Sequence, residues 1–86
     1  MKNDKAKYQL NIKGHLFDVR IITDISEVIY TTDNGEGVYS FIVHEIGGMS
    51  HKVEPFKTRN EAMLKRFELY NRWMGWKAMN GGHRRG

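Results

Sequence analysis

Hydrophobic and polar residues alternate along the first part of the chain, and this period of two is typical of half-buried β-strands. The first alternating segment is Tyr8–Ile12 and the second is Phe17–Ile21. With Gly14-His15 as a two-residue turn, Ile12 lies opposite Phe17, and the apolar side chains of both segments share one face. A glycine in the first turn position suits a type II′ turn. The pattern therefore predicts a β-hairpin with one buried face.

A second hairpin is predicted from the segments Glu27–Thr32 and Val38–Ile46, which flank the sequence DNGEG. Asn34-Gly35 is a strong signal for a two-residue hairpin turn, because both residue types tolerate positive φ angles. Centring the turn there sets Tyr30 opposite Tyr39. The apolar faces of the two strands then match, which supports this register.

The fourth predicted strand carries apolar side chains on both faces, since the neighbours Phe41 and Ile42 are both apolar. This arrangement predicts either a bulge that changes the register or a strand that is covered on both sides. Gly47-Gly48 is expected to turn the chain back. The segment Met49–Glu54 then forms a fifth strand, which Pro55 ends.

A helix is predicted in the last third of the chain. Thr58 suits an N-cap, and Glu61 follows at the spacing of a capping box. Residues 62–79 contain few helix breakers, and Asn80-Gly81-Gly82 is expected to end the helix. The elements together predict an α+β fold, in which an antiparallel β-meander of four to five strands is followed by one C-terminal α-helix packed on the sheet.

Length and composition limit what such a chain can be. Its 86 residues are enough for one domain with a small core, which we place at residues 1–80, with residues 1–6 flexible and residues 81–86 as a disordered basic tail. The chain has no cysteine, which excludes disulfide bonds and thiolate metal sites. It also has no long apolar segment. We therefore expect a cytoplasmic protein without a membrane span.

Charge is unevenly distributed along the sequence. Residues 1–56 carry six Lys or Arg and eight Asp or Glu, a net charge of −2, whereas residues 57–86 carry eight and two, a net charge of +6. A basic C-terminal third indicates either an anionic partner or a helix that is kept well solvated.

Two apolar stripes run along the predicted helix. At about 100° per residue, Met63, Phe67, Tyr70, Met74 and Ala78 share the first stripe, with Leu64 at its edge. We expect this stripe to pack on the sheet. The second stripe lies about 120° or more away and is framed by basic residues; it consists of Ala62, Leu69, Trp73 and Trp76.

Three interpretations of the second stripe are open. Its tryptophans belong to the core if the sheet curls around the helix or the N-terminal segment covers it. The stripe is a protein-binding or homodimer face if it is exposed, since Trp, Tyr and Arg are enriched at interface hot spots. It is a nucleic-acid surface if the indoles stack on unpaired bases while basic side chains contact phosphates.

The resulting prediction is a small non-enzymatic binding protein that uses the basic, tryptophan-bearing face of its helix. Its partner is either nucleic acid or an acidic protein surface. In the second case the protein is an interaction module or a small inhibitor, of the kind encoded by mobile elements and viruses, that occupies the surface of another protein. The predicted binding residues are Arg59, Lys65, Arg66, Leu69, Arg72, Trp73, Trp76, Lys77, Arg84 and Arg85.

A strand followed by FKTRNEA and a helix, within residues 38–72, resembles the plan of two groups of DNA-binding modules: AP2-type domains and the arm-binding domains of tyrosine integrases. The resemblance implies a sheet that enters the major groove, with the helix packed behind it. In this chain the strands carry net negative charge, and the basic residues lie on the helix.

The sequence contains no pattern that predicts catalysis or a cofactor. His44 and His51 lie across from each other if Gly47-Gly48 is a tight turn, but two ligands are too few for a metal site. Ser40 and Ser50 lack the sequence of a nucleophile elbow. The glycine-bearing turns lack the strand-loop-helix context of a phosphate loop. We therefore predict no catalytic residue, no metal ligand and no small-molecule cofactor.

Overall fold

The computed structural model describes residues 7–80, which form seven short β-strands followed by one α-helix. This confirms the predicted α+β class, with antiparallel strands and a C-terminal helix packed on them. The predictions for residues 1–6 and 81–86 lie outside the described residues. The elements are β1 (Gln9–Ile12), β2 (His15–Asp18), β3 (Ile22–Ile25), β4 (Ile29–Asp33), β5 (Glu36–Ser40), β6 (Ile42–Glu45), β7 (Met49–Lys52) and α1 (Arg59–Asn80).

The strands form three small antiparallel sheets. β1 pairs with β2, β4 pairs with β5, and β6 lies between β3 and β7. The β4–β5 hairpin is therefore inserted between two strands that are neighbours in space. This departs from a simple meander, in which every strand pairs with the next one along the chain.

There are two more strands than predicted, because the predicted strand Val38–Ile46 breaks into β5 and β6 and because β3 lies in residues that no predicted strand covered. After β2, the Asp18 carboxylate accepts a hydrogen bond from Arg20 N and caps a short 3₁₀ turn, Val19–Ile21. After β5, Phe41 leaves the ladder, and the chain changes partners from β4 to β3 and β7. Ser40 and Phe41 are consecutive and both buried. The change of partners accounts for the apolar residues on both faces of this segment.

The turn of the first hairpin lies one residue earlier in the chain than predicted. The turn residues are Lys13 and Gly14, with φ angles of 52° and 91°, rather than Gly14-His15. Leu10 consequently pairs with Phe17. This register differs from the predicted one by two residues, which leaves every side chain on the same face, so the apolar pattern could not separate the two. Positive φ angles at both turn residues give the type I′ geometry that fits the twist of the strands.

The second hairpin confirms its prediction. Asn34 and Gly35 have φ angles of 54° and 82°, and Tyr30 pairs with Tyr39. The ring centroids of the two tyrosines lie 5.2 Å apart. The residues of the turn alone were sufficient to predict this hairpin, because they fix both the loop length and the register.

A single apolar core joins the strands to the helix. The buried hydroxyl of Ser40 donates a hydrogen bond to the Val53 carbonyl, which ties β5 to the segment that leads into the helix. A further backbone bridge joins Tyr39 to Phe56. The core consists of Leu10, Ile12, Phe17, Val19, Ile22, Ile25, Phe41, Val43, Val53, Phe56, Ala62, Leu69 and Trp73.

The start of α1 confirms the predicted N-cap. Glu61 N donates to Thr58 Oγ1 over 3.2 Å, so one of the otherwise unpaired first-turn amides is satisfied. The helix begins at Arg59, as the position of the cap predicted, and extends to Asn80, the last described residue, so the predicted stop at Gly81-Gly82 lies outside the described residues.

The face that α1 packs on the strands is the opposite of the predicted one. Ala62, Leu69 and Trp73 are buried, whereas Met63 and Phe67, expected to pack on the sheet, are exposed. Two properties of the buried stripe explain this choice. The small side chain of Ala62 allows the helix to approach closely, and Trp73 Nε1 donates a 3.1 Å hydrogen bond to the Ile22 carbonyl at the start of β3.

Candidate functional site

The outward side of α1 exposes four large apolar side chains. The exposed fractions are 68% for Leu64, 61% for Phe67, 43% for Met63 and 39% for Met74. Asn60, Asn71 and Ala78 lie on the same side at about 100° per residue. We call the surface formed by these seven residues the outer face. Isolated exposed apolar residues are common on protein surfaces, whereas these four side chains are neighbours on one side of a helix, which makes the outer face a candidate site.

The outer face carries no charge. At about 100° per residue, the seven charged side chains of α1 all fall within one half of the circumference, and that half contains the buried stripe. The remaining arc contains only uncharged residues: apolar and amide side chains, Gly75 and half-buried Tyr70. This is the reverse of an ordinary amphipathic helix, whose charged residues lie opposite its buried face. Solvation of the helix does not explain this distribution.

A groove of about 570 Å³ runs beside the N-terminal half of the outer face. Val28, in the connection between β3 and β4, lies across this groove from the helix. Leu64 also borders a second depression, of about 320 Å³, together with Lys13 and Phe56. The large groove is lined by Glu27, Val28, Arg59, Asn60, Met63, Leu64, Arg66 and Phe67. Exposed Leu64 therefore lies between the groove and the second depression. This shape suits an irregular apolar partner.

Arg66 fastens the helix to the end of β3. Its Nε donates a 2.6 Å hydrogen bond to the Ser26 carbonyl, and Nη2 lies 3.5 Å from the Ile25 carbonyl. Trp73 donates its hydrogen bond to Ile22, at the start of the same strand. Both residues were predicted to bind a ligand. In the structure they hold α1 in place, and through it they orient the outer face.

Lys65 and Arg72 lie on the opposite edge of the buried stripe and share one carboxylate. Lys65 Nζ is 3.2 Å from Glu68 Oε1, and Arg72 Nη2 is 4.0 Å from Glu68 Oε2. Both basic side chains are half-buried. Their charge is therefore partly balanced within the helix.

Arg59 and Lys77 are the exposed members of the predicted basic set. Arg59, at the start of α1, lines the large groove. Lys77 Nζ lies 4.4 Å from the centroid of the Trp73 ring, a cation–π contact that covers the outer side of the indole. Arg84 and Arg85, also predicted to bind, lie outside the described residues.

The prediction that the tryptophan stripe is a binding surface is corrected by its burial. Leu69 is fully buried, and Trp73 is only 6% exposed. Trp76 is half-buried and packs against the core. The buried indole of Trp73 cannot stack on a base or form the predicted homodimer contact, and Trp76 keeps only part of its surface exposed. Of the three interpretations of the stripe, the structure shows the one in which the tryptophans belong to the core.

The histidines also differ from their prediction. The turn after β6 is three residues long, Ile46–Gly48, so His44 faces Ser50 instead of His51. His51 Nε2 lies 3.1 Å from Glu45 Oε1, and its ring centroid is 4.9 Å from that of His15. Among the described residues, no group of three or more His, Cys, Asp or Glu side chains is arranged to hold a metal ion.

Comparison with protein-family models, with curated proteins and with solved structures returned no match. Within residues 7–80, no helix has the length and apolar character that crossing a membrane requires.

The outer face was not predicted as a binding site, because the sequence pattern placed that stripe in the core. The signal that separates the two stripes is the position of the charges. Basic side chains lie beside Trp73 on both edges, where their long apolar stems cover the rim of the buried contact. By contrast, Phe67 has no charged neighbour on its half of the helix. In this helix the charges flank the buried stripe, and the uncharged stripe is the exposed one.

Proposed function

We propose that the protein is a non-enzymatic, cytoplasmic protein-interaction module, which binds a partner protein through the outer face of α1 and the groove beside it. The observation that carries this proposal is the uncharged, apolar half of the helix, exposed where solvent would favour charge. The module acts by occupying a surface of its partner, as a small inhibitor does.

The side chains of the outer face suit protein recognition. Phenylalanine and methionine are enriched at interface cores, and methionine adapts to irregular surfaces because its side chain is flexible and polarisable. The residues that line the groove include no serine, threonine, cysteine or histidine, which supports a binding role over a catalytic one. Burial of Trp73 removes the stacking platform on which a single-stranded nucleic-acid surface relies.

The spacing of the apolar residues favours a helical partner segment. Met63, Phe67, Tyr70 and Met74 follow one another at intervals of four, three and four residues. Met63, Phe67 and Met74 belong to the outer face, and half-buried Tyr70 lies at its border. Together they form a ridge along α1 of the kind that packs into the groove of a second helix. The expected mode is therefore one amphipathic helix lying along another.

The test is a selection of amphipathic peptides of 22 residues, the length of α1, from a display library on the immobilised protein. Fluorescence anisotropy then measures the affinity of an enriched peptide for the wild type and for Leu64→Gln/Phe67→Gln. We expect the double variant to bind at least about ten-fold more weakly, since each exposed apolar side chain contributes roughly 1 to 2 kcal/mol when it is buried. The matched control is Leu16→Gln, because Leu16 is also an exposed leucine, at 54%, and lies on β2.

Two results would contradict the proposal. The first is a selection that enriches no peptide, or peptides that bind the Leu64→Gln/Phe67→Gln variant as tightly as the wild type. The second comes from a parallel titration of labelled single- and double-stranded oligonucleotides at low and moderate salt. Tight, salt-sensitive oligonucleotide binding that the double variant retains would indicate a nucleic-acid surface elsewhere on the molecule.

A further inference from the structure

We infer that the partner segment is an amphipathic helix with an acidic flank, which lies along α1 so that its carboxylates meet Arg59 and Lys77. This inference rests on the proposed function and adds the chemistry of the partner to it. The observation behind it is the unequal charge of the two long edges of the outer face.

One edge is basic along its whole length. At about 100° per residue, Arg59, Arg66 and Lys77 fall within about 20° of one another, between the buried stripe and the outer face. The opposite edge carries Glu61 and Glu68. Glu68 is already paired with the lysine and arginine behind it. The outer face is therefore bordered by one strongly basic edge and by one edge whose positive and negative charges nearly cancel.

Two residues of the basic edge are exposed to a partner. Arg66 is half-buried and hydrogen-bonded to backbone carbonyls of the strands. Arg59 is exposed and makes no ion pair with any residue in the described part of the chain. Lys77 is exposed as well, with its ammonium group over the Trp73 ring. Glu27 is the one acidic residue that lines the groove, against two arginines, so the groove is also net basic.

The spacing of these two cations matches a helix that runs alongside α1. Arg59 and Lys77 are 18 residues apart, which is five full turns, so they lie at the same angle and about 27 Å apart along the axis. A partner helix packed on the apolar ridge places side chains of one flank along the whole of this distance. Carboxylates near both ends of that flank meet the two cations at once.

The charge of α1 argues against a second copy of this chain as the partner. The helix has five basic and two acidic residues, a net charge of +3. Two copies of α1 packed through their outer faces would bring helices of net charge +3 together, and like charges across an interface disfavour association. An acidic partner removes this repulsion and is also attracted at long range.

The experiment compares three synthetic peptides with the apolar positions of a selected peptide and with Glu, Gln or Lys at all flanking positions. We expect the order of affinity Glu, then Gln, then Lys. Arg59→Glu/Lys77→Glu should weaken the Glu peptide by about ten-fold and favour the Lys peptide, since two exposed ion pairs are each changed to a repulsion. Arg59→Gln/Lys77→Gln removes the two charges without reversing them, and we expect an intermediate loss of affinity for the Glu peptide. This variant checks that the loss in Arg59→Glu/Lys77→Glu does not come from misfolding. The control is Lys52→Glu, an exposed lysine on β7.

The outcomes separate this inference from the function on which it rests. Equal affinities for the three peptides, with binding still lost in Leu64→Gln/Phe67→Gln, would overturn the acidic partner and leave the apolar binding face in place. Loss of binding in Lys52→Glu equal to that in Arg59→Glu/Lys77→Glu would show a general effect of net charge and would also overturn it. Binding that is unaffected in Leu64→Gln/Phe67→Gln would overturn both.

Discussion

Replacing Trp73 with alanine is expected to lower the free energy of unfolding by about 3 to 5 kcal/mol, the usual loss for a buried large aromatic side chain. Trp73 is 6% exposed, and its indole packs edge-on to the Tyr70 ring with centroids 5.8 Å apart. The substitution also leaves the Ile22 carbonyl without its 3.1 Å hydrogen bond. A chain of 86 residues has a total stability of about 4 to 13 kcal/mol, so the variant is expected to be marginally folded.

Phe67→Ala is the matched comparison on the same helix. Phe67 is 61% exposed, and exposed positions usually change stability by less than about 0.5 kcal/mol. Trp73→Phe keeps a ring in the core but loses the indole donor, and we expect a loss of about 1 to 2 kcal/mol. The three values together test which stripe of α1 is buried, independently of any partner.

Urea unfolding followed by far-UV circular dichroism measures these differences, because it does not depend on tryptophan fluorescence. At about 1 to 2 kcal/mol per molar urea, Trp73→Ala should lower the midpoint by roughly 2 to 4 M and Phe67→Ala should hardly move it. A loss below about 1 kcal/mol for Trp73→Ala would refute the burial argument. An equal loss in the two alanine variants would show that both stripes are covered in the free protein, which would also remove the basis of the proposed binding face.

Three further predictions concern single contacts, each tested by urea unfolding. Thr58→Ala should cost about 1 kcal/mol, because it removes the cap on Glu61 N, whereas Thr58→Ser should retain it. Gly35→Ala should cost about 1 kcal/mol because φ is +82° in the turn, and unchanged stability would contradict the type I′ geometry. Hydrogen bonds from the Arg20 guanidinium lower the pKa of Asp18 below its usual range. The ion pair therefore stabilises the fold above about pH 4, and its contribution is lost as the pH falls through the lowered pKa. Asp18→Asn keeps the cap oxygen without the charge, so the wild type should lose more stability than this variant on acidification. Parallel pH profiles would argue against the ion pair.

Local signals in the sequence were sufficient where a single turn or cap decides the conformation. Asn34-Gly35 fixed the register of the second hairpin, because a two-residue turn with positive φ angles leaves no alternative pairing. Thr58 fixed the start of α1 in the same way. In the first hairpin the apolar pattern was not sufficient to predict the register, since a slip of two residues keeps Leu10 and Phe17 on the buried face in either register.

Residue patterns along the chain are sufficient to predict the α+β class, the start of the helix and the two apolar stripes on it. Which stripe is buried depends on how α1 packs on the strands. The stripes are similar in size and hydrophobicity, and the choice depends on groups distant in sequence: the carbonyls of Ile22 and Ser26, which accept hydrogen bonds from Trp73 and Arg66. A buried indole N–H needs a partner, and the Ile22 carbonyl supplies it, so the larger ring of Trp73 is buried without an unpaired donor while Phe67 stays outside. The candidate binding face is the consequence of that choice.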